Sequence, residues 1–89
     1  MRKLLFTVED CFKIAGRGTV AAADRPPDLP DLKVGDGIIL IQPEGLEIKT
    51  EIAGIEMVVT VSGLRKIALL IKDARKEDVP VGTKVFLRN

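Results

Sequence analysis

The chain has 89 residues, 46% of them hydrophobic, with 14 basic and 13 acidic side chains and a net charge of +1. That length suits one domain, able to bury roughly 60–65% of the surface an unfolded chain exposes, and the balanced charge excludes a general field for drawing in nucleic acid or an anionic membrane. The absence of histidine excludes Ser-His and Cys-His catalysis and any histidine-ligated zinc site.

The apolar content is aliphatic, with three phenylalanines and no tryptophan or tyrosine. The lone Cys11 cannot close an internal disulfide, which favours a reducing compartment, and it reads as a small buried strand residue rather than a reactive thiol. Met1 to Phe6 begins like a signal peptide, but Glu9 and Asp10 interrupt the apolar run. No stretch approaches the roughly 20 apolar residues of a spanning helix. A soluble, cytoplasmic protein without membrane contact is expected.

In chain order, the first segment alternates. Leu4, Phe6, Val8, Phe12 and Ile14 share one face; Thr7, Glu9, Cys11 and Lys13 share the other; Asp10 breaks the apolar face. Gly16-Arg17-Gly18 predicts a tight turn, followed by a small-residue strand from Thr19 to Ala23. Three prolines between Arg25 and Asp31 predict a loop. Gly37 to Ile41 is a continuous apolar run, suited to a strand buried on both sides. Gln42-Pro43-Glu44-Gly45 has the proline and glycine of a type II turn.

From Leu46 to Val61 the phase of the pattern changes. Leu46, Ile48 and Ile52 alternate with Glu47, Lys49 and Glu51, and beyond Gly54 the apolar set becomes Ile55, Met57, Val59 and Val61. A period of two cannot invert without an inserted residue, so a bulge or sharp bend is predicted at Ala53-Gly54. The 64–74 stretch fits two periods: Leu64, Ile67, Ala68 and Ile71 suit a helix, and Ile67, Leu69 and Ile71 suit a strand. Its all-β neighbours favour strand, with at most a helical turn at Arg75 to Asp78. Val85-Phe86-Leu87 would be the closing strand. Lys33-Val34-Gly35-Asp36 and Pro80-Val81-Gly82-Thr83 echo each other as valine-glycine turns leading into apolar strands. The expected fold is therefore a small, closed, antiparallel all-β barrel of about six to seven strands in a single domain, 1–89.

Val8 to Val20, reading VEDCFKIAGRGTV, resembles the opening of domain 2 of elongation factor Tu, departing mainly at Cys11. Leu32 to Asp36 is similar to that family's turn into its next strand. Ala53-Gly54-Ile55-Glu56-Met57 and the segment from Ala68 to Gly82 are similar to its later motifs, so the resemblance covers nearly the whole chain. It implies the compact barrel that translational GTPases carry beside their nucleotide-binding domain, where it contacts the 3′ end of aminoacyl-tRNA or ribosomal RNA. No G-x-x-x-x-G-K-[ST] loop is present to cradle phosphates, so this chain is not expected to bind GTP. No cofactor or metal is implied, and no nucleophile-base pair points to an enzyme.

By the resemblance, Glu9, Asp10 and Phe12 take positions lining an aminoacyl pocket, and Ile14, Val20 and Glu56 take positions around a terminal adenosine. Barrel core, strand surface and strand-end carboxylates are the structural alternatives for these residues. Three departures weaken the pocket: Val58-Val59 replaces a His-Arg pair, Lys66 an asparagine and Ala22 a threonine. Each unpaired polar group of a buried ligand costs roughly 1–3 kcal/mol. Arg17, on its glycine-flanked turn, remains a candidate for carboxylate or phosphate, with Arg65 and Lys66 as further cations that otherwise read as solvated surface. Val58, Val59 and Val61 form an apolar stretch that suggests an interface, to a second copy or to another protein. Two readings follow: a translation-associated module contacting tRNA, ribosomal RNA or a protein partner, and a protein-interaction or homo-oligomerisation module that kept the fold and lost recognition of the tRNA 3′ end.

Overall fold

The computed structural model describes residues 2–88. Seven strands form: β1 (Lys3–Thr7), β2 (Asp10–Ile14), β3 (Gly18–Asp24), β4 (Gly37–Ile41), β5 (Glu47–Val59), β6 (Arg65–Ile71) and β7 (Lys84–Leu87), with one 3-10 turn at Lys76–Asp78. All pairings are antiparallel, in the order β1-β7-β4-β5-β6-β3-β2. The strands at the two ends of that order are consecutive in sequence, and Val8 and Glu9 join them. Val8 N–H donates to Thr83 O at 2.8 Å and Gly82 N–H donates to Val8 O at 2.8 Å, while Glu9 N–H donates to Ala22 O at 2.9 Å. The ribbon from Lys3 to Ile14 thus ties one edge of the sheet to the other, and the sheet curls into a barrel.

The long ribbon β5 turns the other corner. Its first half, Glu47 to Glu51, pairs with β4, and its second half, Ile52 to Val59, pairs with β6. The register with β6 shifts between Ile52 and Gly54, leaving Ala53 as the inserted residue. This is the bulge that the inverted hydrophobic phase predicts. Residues 65–71 are a strand, and the helical tendency beyond it is confined to the single 3-10 turn. Burial alternates cleanly along β6, with Ile67, Leu69 and Ile71 inside, whereas Ile38, Ile39 and Leu40 of β4 are all buried.

Both valine-glycine turns close in the same way. Asp36 N–H donates to Lys33 O and Thr83 N–H donates to Pro80 O, both at 3.0 Å, with Gly35 at φ +97° and Gly82 at φ +95°. A positive φ at the third residue is what a type II turn needs. The Gln42 to Gly45 turn differs from expectation, because its left-handed residue is Gly45 at φ +101° and Glu44 is not left-handed. With Gln42 N–H donating to Leu46 O, it is a three-residue hairpin loop ending in a left-handed glycine.

The first segment also departs from simple alternation. Leu5 and Phe6 are both buried and Leu4 is exposed, because the β1–β7 register shifts between Leu4 and Phe6. The chain then crosses from one pairing partner to the other at Val8-Glu9, and the phase changes again. Cys11 points inward, whereas Phe12 and Ile14 lie on the outer surface.

The β6–β7 connection is held from below by buried polar side chains. Thr19 Oγ1 donates to Ala74 O at 2.8 Å, Gln42 Nε2 to Asp78 O at 3.0 Å and Thr83 Oγ1 to Pro80 O at 2.6 Å. Val79 beside them is fully buried. Thr19→Val keeps the shape and leaves a carbonyl without its donor, which costs about 1–3 kcal/mol; Ile67→Ala opens a core cavity costing about 2–5 kcal/mol. Urea unfolding followed by circular dichroism measures both, and a Thr19→Val midpoint equal to the parent's would show that this hydrogen bond does not hold the connection.

Candidate binding groove

Four strands present a continuous outer surface, β2-β3-β6-β5. The pairings Phe12 with Val20, Val20 with Leu70 and Leu70 with Gly54 place these residues in one row across it. The next row, one pleat along, is Asp10, Ala22, Ala68 and Glu56. Alanines occupy the middle of the second row and Gly54 ends the first, so the surface sinks beside Val20 and Leu70. The result is a groove of about 320 Å³ lined by Phe12, Ile14, Arg17, Val20, Gly54, Ile55, Glu56, Ala68 and Leu70.

Its walls differ in chemistry. Phe12 forms one side, 40% exposed, offering an aromatic surface beside the aliphatic Ile14. Glu56 stands on the opposite strand, and its carboxylate makes no hydrogen bond or ion pair with the described residues. Arg17 closes one end. The turn that carries it is fixed by Arg17 N–H donating to Ile14 O at 3.0 Å, with Gly16 at φ +77° and Gly18 at φ +128°. Residues with a Cβ rarely adopt such angles, so the two glycines set where the guanidinium stands. Gly54 has a different reason: a Cβ there would lie 3.2 Å from Leu70 Cβ, and the groove floor would fill.

The structure therefore gathers Phe12, Ile14, Arg17, Val20 and Glu56 around one depression. Val20 faces outward yet is buried, as part of the floor. Asp10 borders the same surface, and its carboxylate accepts from Cys11 N–H at 2.9 Å, so it is engaged as an ordinary strand-end carboxylate. Glu9 lies beyond it, close enough to influence Lys66 electrostatically. Arg65 and Lys66 do not join the groove. Lys66 pairs with Asp24 at the far end of β3 from Arg17, about 20 Å away at the usual strand rise. Its ammonium pKa is raised, chiefly by that hydrogen bond.

Val58, Val59 and Val61 do not share a face. Val58 pairs with Lys66 on the outer face, Val59 pairs with Arg65 on the opposite one, and Val61 lies in the turn between β5 and β6. Gly54, Ile55, Ala68 and Leu70 complete the groove without any local signal in sequence, since only the cross-strand register brings them to Phe12 and Val20.

Among the described residues, no group of three or more acidic or cysteine side chains is arranged to hold a metal ion, and no helix is long and apolar enough to cross a membrane. Comparison with known proteins adds no kinship to this geometry: no family model matches the chain, and no curated protein matches it.

Cys11 lies under the groove surface, with its thiol 3.9 Å from Lys76 O. Burial pushes its pKa above the ordinary 9.0, and Lys76 only partly opposes this. The folded thiol thus stays protonated where the unfolded one ionises. Stability is full below about pH 9 and falls as the pH rises through that value toward the folded pKa. Urea titrations between pH 7 and 10 should show this decline in the parent and a shallower one in Cys11→Ala; equal slopes in the two would remove Cys11 as its source.

Proposed function

We propose that the chain is a non-catalytic binding module, resembling domain 2 of elongation factor Tu, that works in the cytoplasm in association with translation and takes an RNA end in the groove between Phe12 and Glu56. The observation that carries this reading is the convergence of an aromatic ring, an unpaired carboxylate and an arginine around an apolar floor of Val20, Gly54, Ala68 and Leu70. A nucleoside has matching parts. Its base stacks on Phe12 and the aliphatic floor, its ribose hydroxyls donate to Glu56, and a neighbouring phosphate reaches Arg17. The volume suits a group of that size, at the lower end of ligand sites.

The charge of the chain sets the strength of such binding. With a net charge of +1 and Lys66 committed to Asp24, few phosphates are contacted at once, so the salt dependence is shallow. The eroded positions Ala22, Val58 and Lys66 supply no replacement for the hydrogen-bonding groups of an aminoacyl pocket, which favours a plain RNA end over an aminoacylated one. The second reading, a protein-interaction module, is favoured by one separate observation: the β5–β6 hairpin carries exposed Met57, Val58, Val59, Val61 and Leu64.

Fluorescence anisotropy with labelled tRNA and with a short single-stranded RNA tests the groove. Binding should weaken as salt rises, with a log–log slope of about −0.7 for each phosphate contacted. Phe12→Ala should weaken it about 5- to 150-fold through lost stacking. Arg17→Glu should reduce both the affinity and the slope, and Lys66→Ala should change neither by more than about twofold. Absence of binding at low salt, or equal affinity of the Phe12→Ala variant, sinks the RNA reading and leaves the protein-interaction module.

A further inference from the structure

The second half of β5 is an open strand edge with a defined hydrogen-bonding pattern. Thr60 N–H donates to Leu64 O at 2.8 Å and Arg25 N–H to Arg65 O at 2.9 Å. These two bonds settle which residues of the hairpin face each other through hydrogen bonds. Counting back in register, Val58 with Lys66, Glu56 with Ala68 and Gly54 with Leu70 are the hydrogen-bonded pairs. Ile55, Met57 and Val59 therefore direct their N–H and C=O groups the other way, off the sheet. Strand β4 pairs only as far as Glu51, and the Gly35 and Asp36 bonds extend that ladder only to Ile52. Among the described residues, no further backbone bond and no side chain reaches those six groups.

Other boundaries of the sheet are blunted. The Cys11 N–H on the β2 edge is capped by the Asp10 carboxylate, and β1 is interrupted by the shift between Leu4 and Phe6. Natural proteins protect free edges by such means, because an unprotected edge accepts another strand. From Ile55 to Val59 there is no proline, no further bulge and one charge, Glu56. The flanking side chains are apolar and open to solvent, with Met57 45% and Val59 66% exposed.

We infer that this edge pairs with the same edge of a second copy of the chain, antiparallel, about a two-fold axis at Met57. Antiparallel pairing requires outward-directed residues to meet one another, which leaves only alternate registers. An axis at Glu56 would set two carboxylates directly opposite, which is destabilising. An axis at Met57 pairs Met57 with the partner's Met57 and Ile55 with the partner's Val59. All three outward N–H and all three outward C=O groups on each copy are then satisfied, and the apolar side chains on that face meet one another. The contact is isologous and closes at two copies, so it does not propagate into a filament. A net charge of +1 per chain adds little repulsion.

The pairing also bears on the groove, although it does not depend on what the groove binds. Glu56 meets the partner's Val58 on the outer face, so the second copy extends the wall of the groove beyond β5. The interface is small. Stable dimers bury about 800 Å² per partner, about one-seventh of the 5532 Å² that this chain exposes. Association is therefore reversible and concentration-dependent.

Sedimentation equilibrium over about 10 μM to 1 mM should show the mass rising to twice that of the monomer, and hydrogen exchange should show Ile55, Met57 and Val59 amides slowing as concentration rises. Met57→Lys and Met57→Glu each place like charges across the axis, so each alone should be monomeric with an unchanged circular dichroism spectrum. Mixed in equal amounts they should associate one to one. A parent monomeric throughout, a Met57→Lys variant that still dimerises, protection on other strands instead, or a mixture that stays monomeric would overturn the inference. Loss of RNA binding in Phe12→Ala bears on the groove alone and leaves this result untouched.

Discussion

The barrel depends on one inserted residue. Ala53 sits between two pairings of the same strand, one with β4 and one with β6. Without it, either the first or the second half of β5 would turn its apolar side chains to water, because a strand repeats every two residues. With it, Ile52 is buried against the core while the ribbon bends to face another neighbour. Gly54, beside the insertion, lets Leu70 approach closely. The corner that closes the sheet and the dip that forms the groove floor are thus parts of one local irregularity.

A second joint completes the circuit. Val8 and Glu9 belong to neither ladder yet bond to both, so the two edges meet through a single change of partner. That change turns Cys11 inward and Phe12 outward. A side chain whose area would otherwise fill the core is thereby placed on the surface beside Ile14 and Arg17. Burial of the aliphatic residues beneath, at about 25 cal/mol for each Å² of apolar surface, holds the scaffold. Phe12, Val20 and Glu56 stand on strands and Arg17 on a tight turn closed by its own N–H, so the scaffold fixes their spacing.

Charge is used sparingly. The ion pairs are exposed and peripheral, and pairs of that kind contribute little each. Their effect is to occupy cations: Lys66 and Lys72 are committed to Asp24 and Glu51, while Arg17 keeps its guanidinium at the groove. Among the described residues Arg17 has no ion-pair partner, and its place in the groove lining sets it apart from the other unpaired cations.

Much of this was legible in the linear pattern. Short apolar runs bounded by glycine and proline imposed an all-β chain, and the phase change beyond Gly54 located the bulge, since period-two burial allows no other explanation. The matching Val34-Gly35 and Val81-Gly82 turns were equally readable, because only glycine adopts their backbone angles without strain. The faces of Cys11, Phe12 and Ile14 were not, because local alternation says nothing about where a strand exchanges partners. Nor could sequence place Ala68, Leu70 and Gly54 beside Val20, or separate Arg17 from Lys66. Local chemistry alone determines strands, turns and bulges, which depend on neighbours along the chain. Register between strands decides which side chains share a surface, and it is set only when residues far apart in sequence pack against one another.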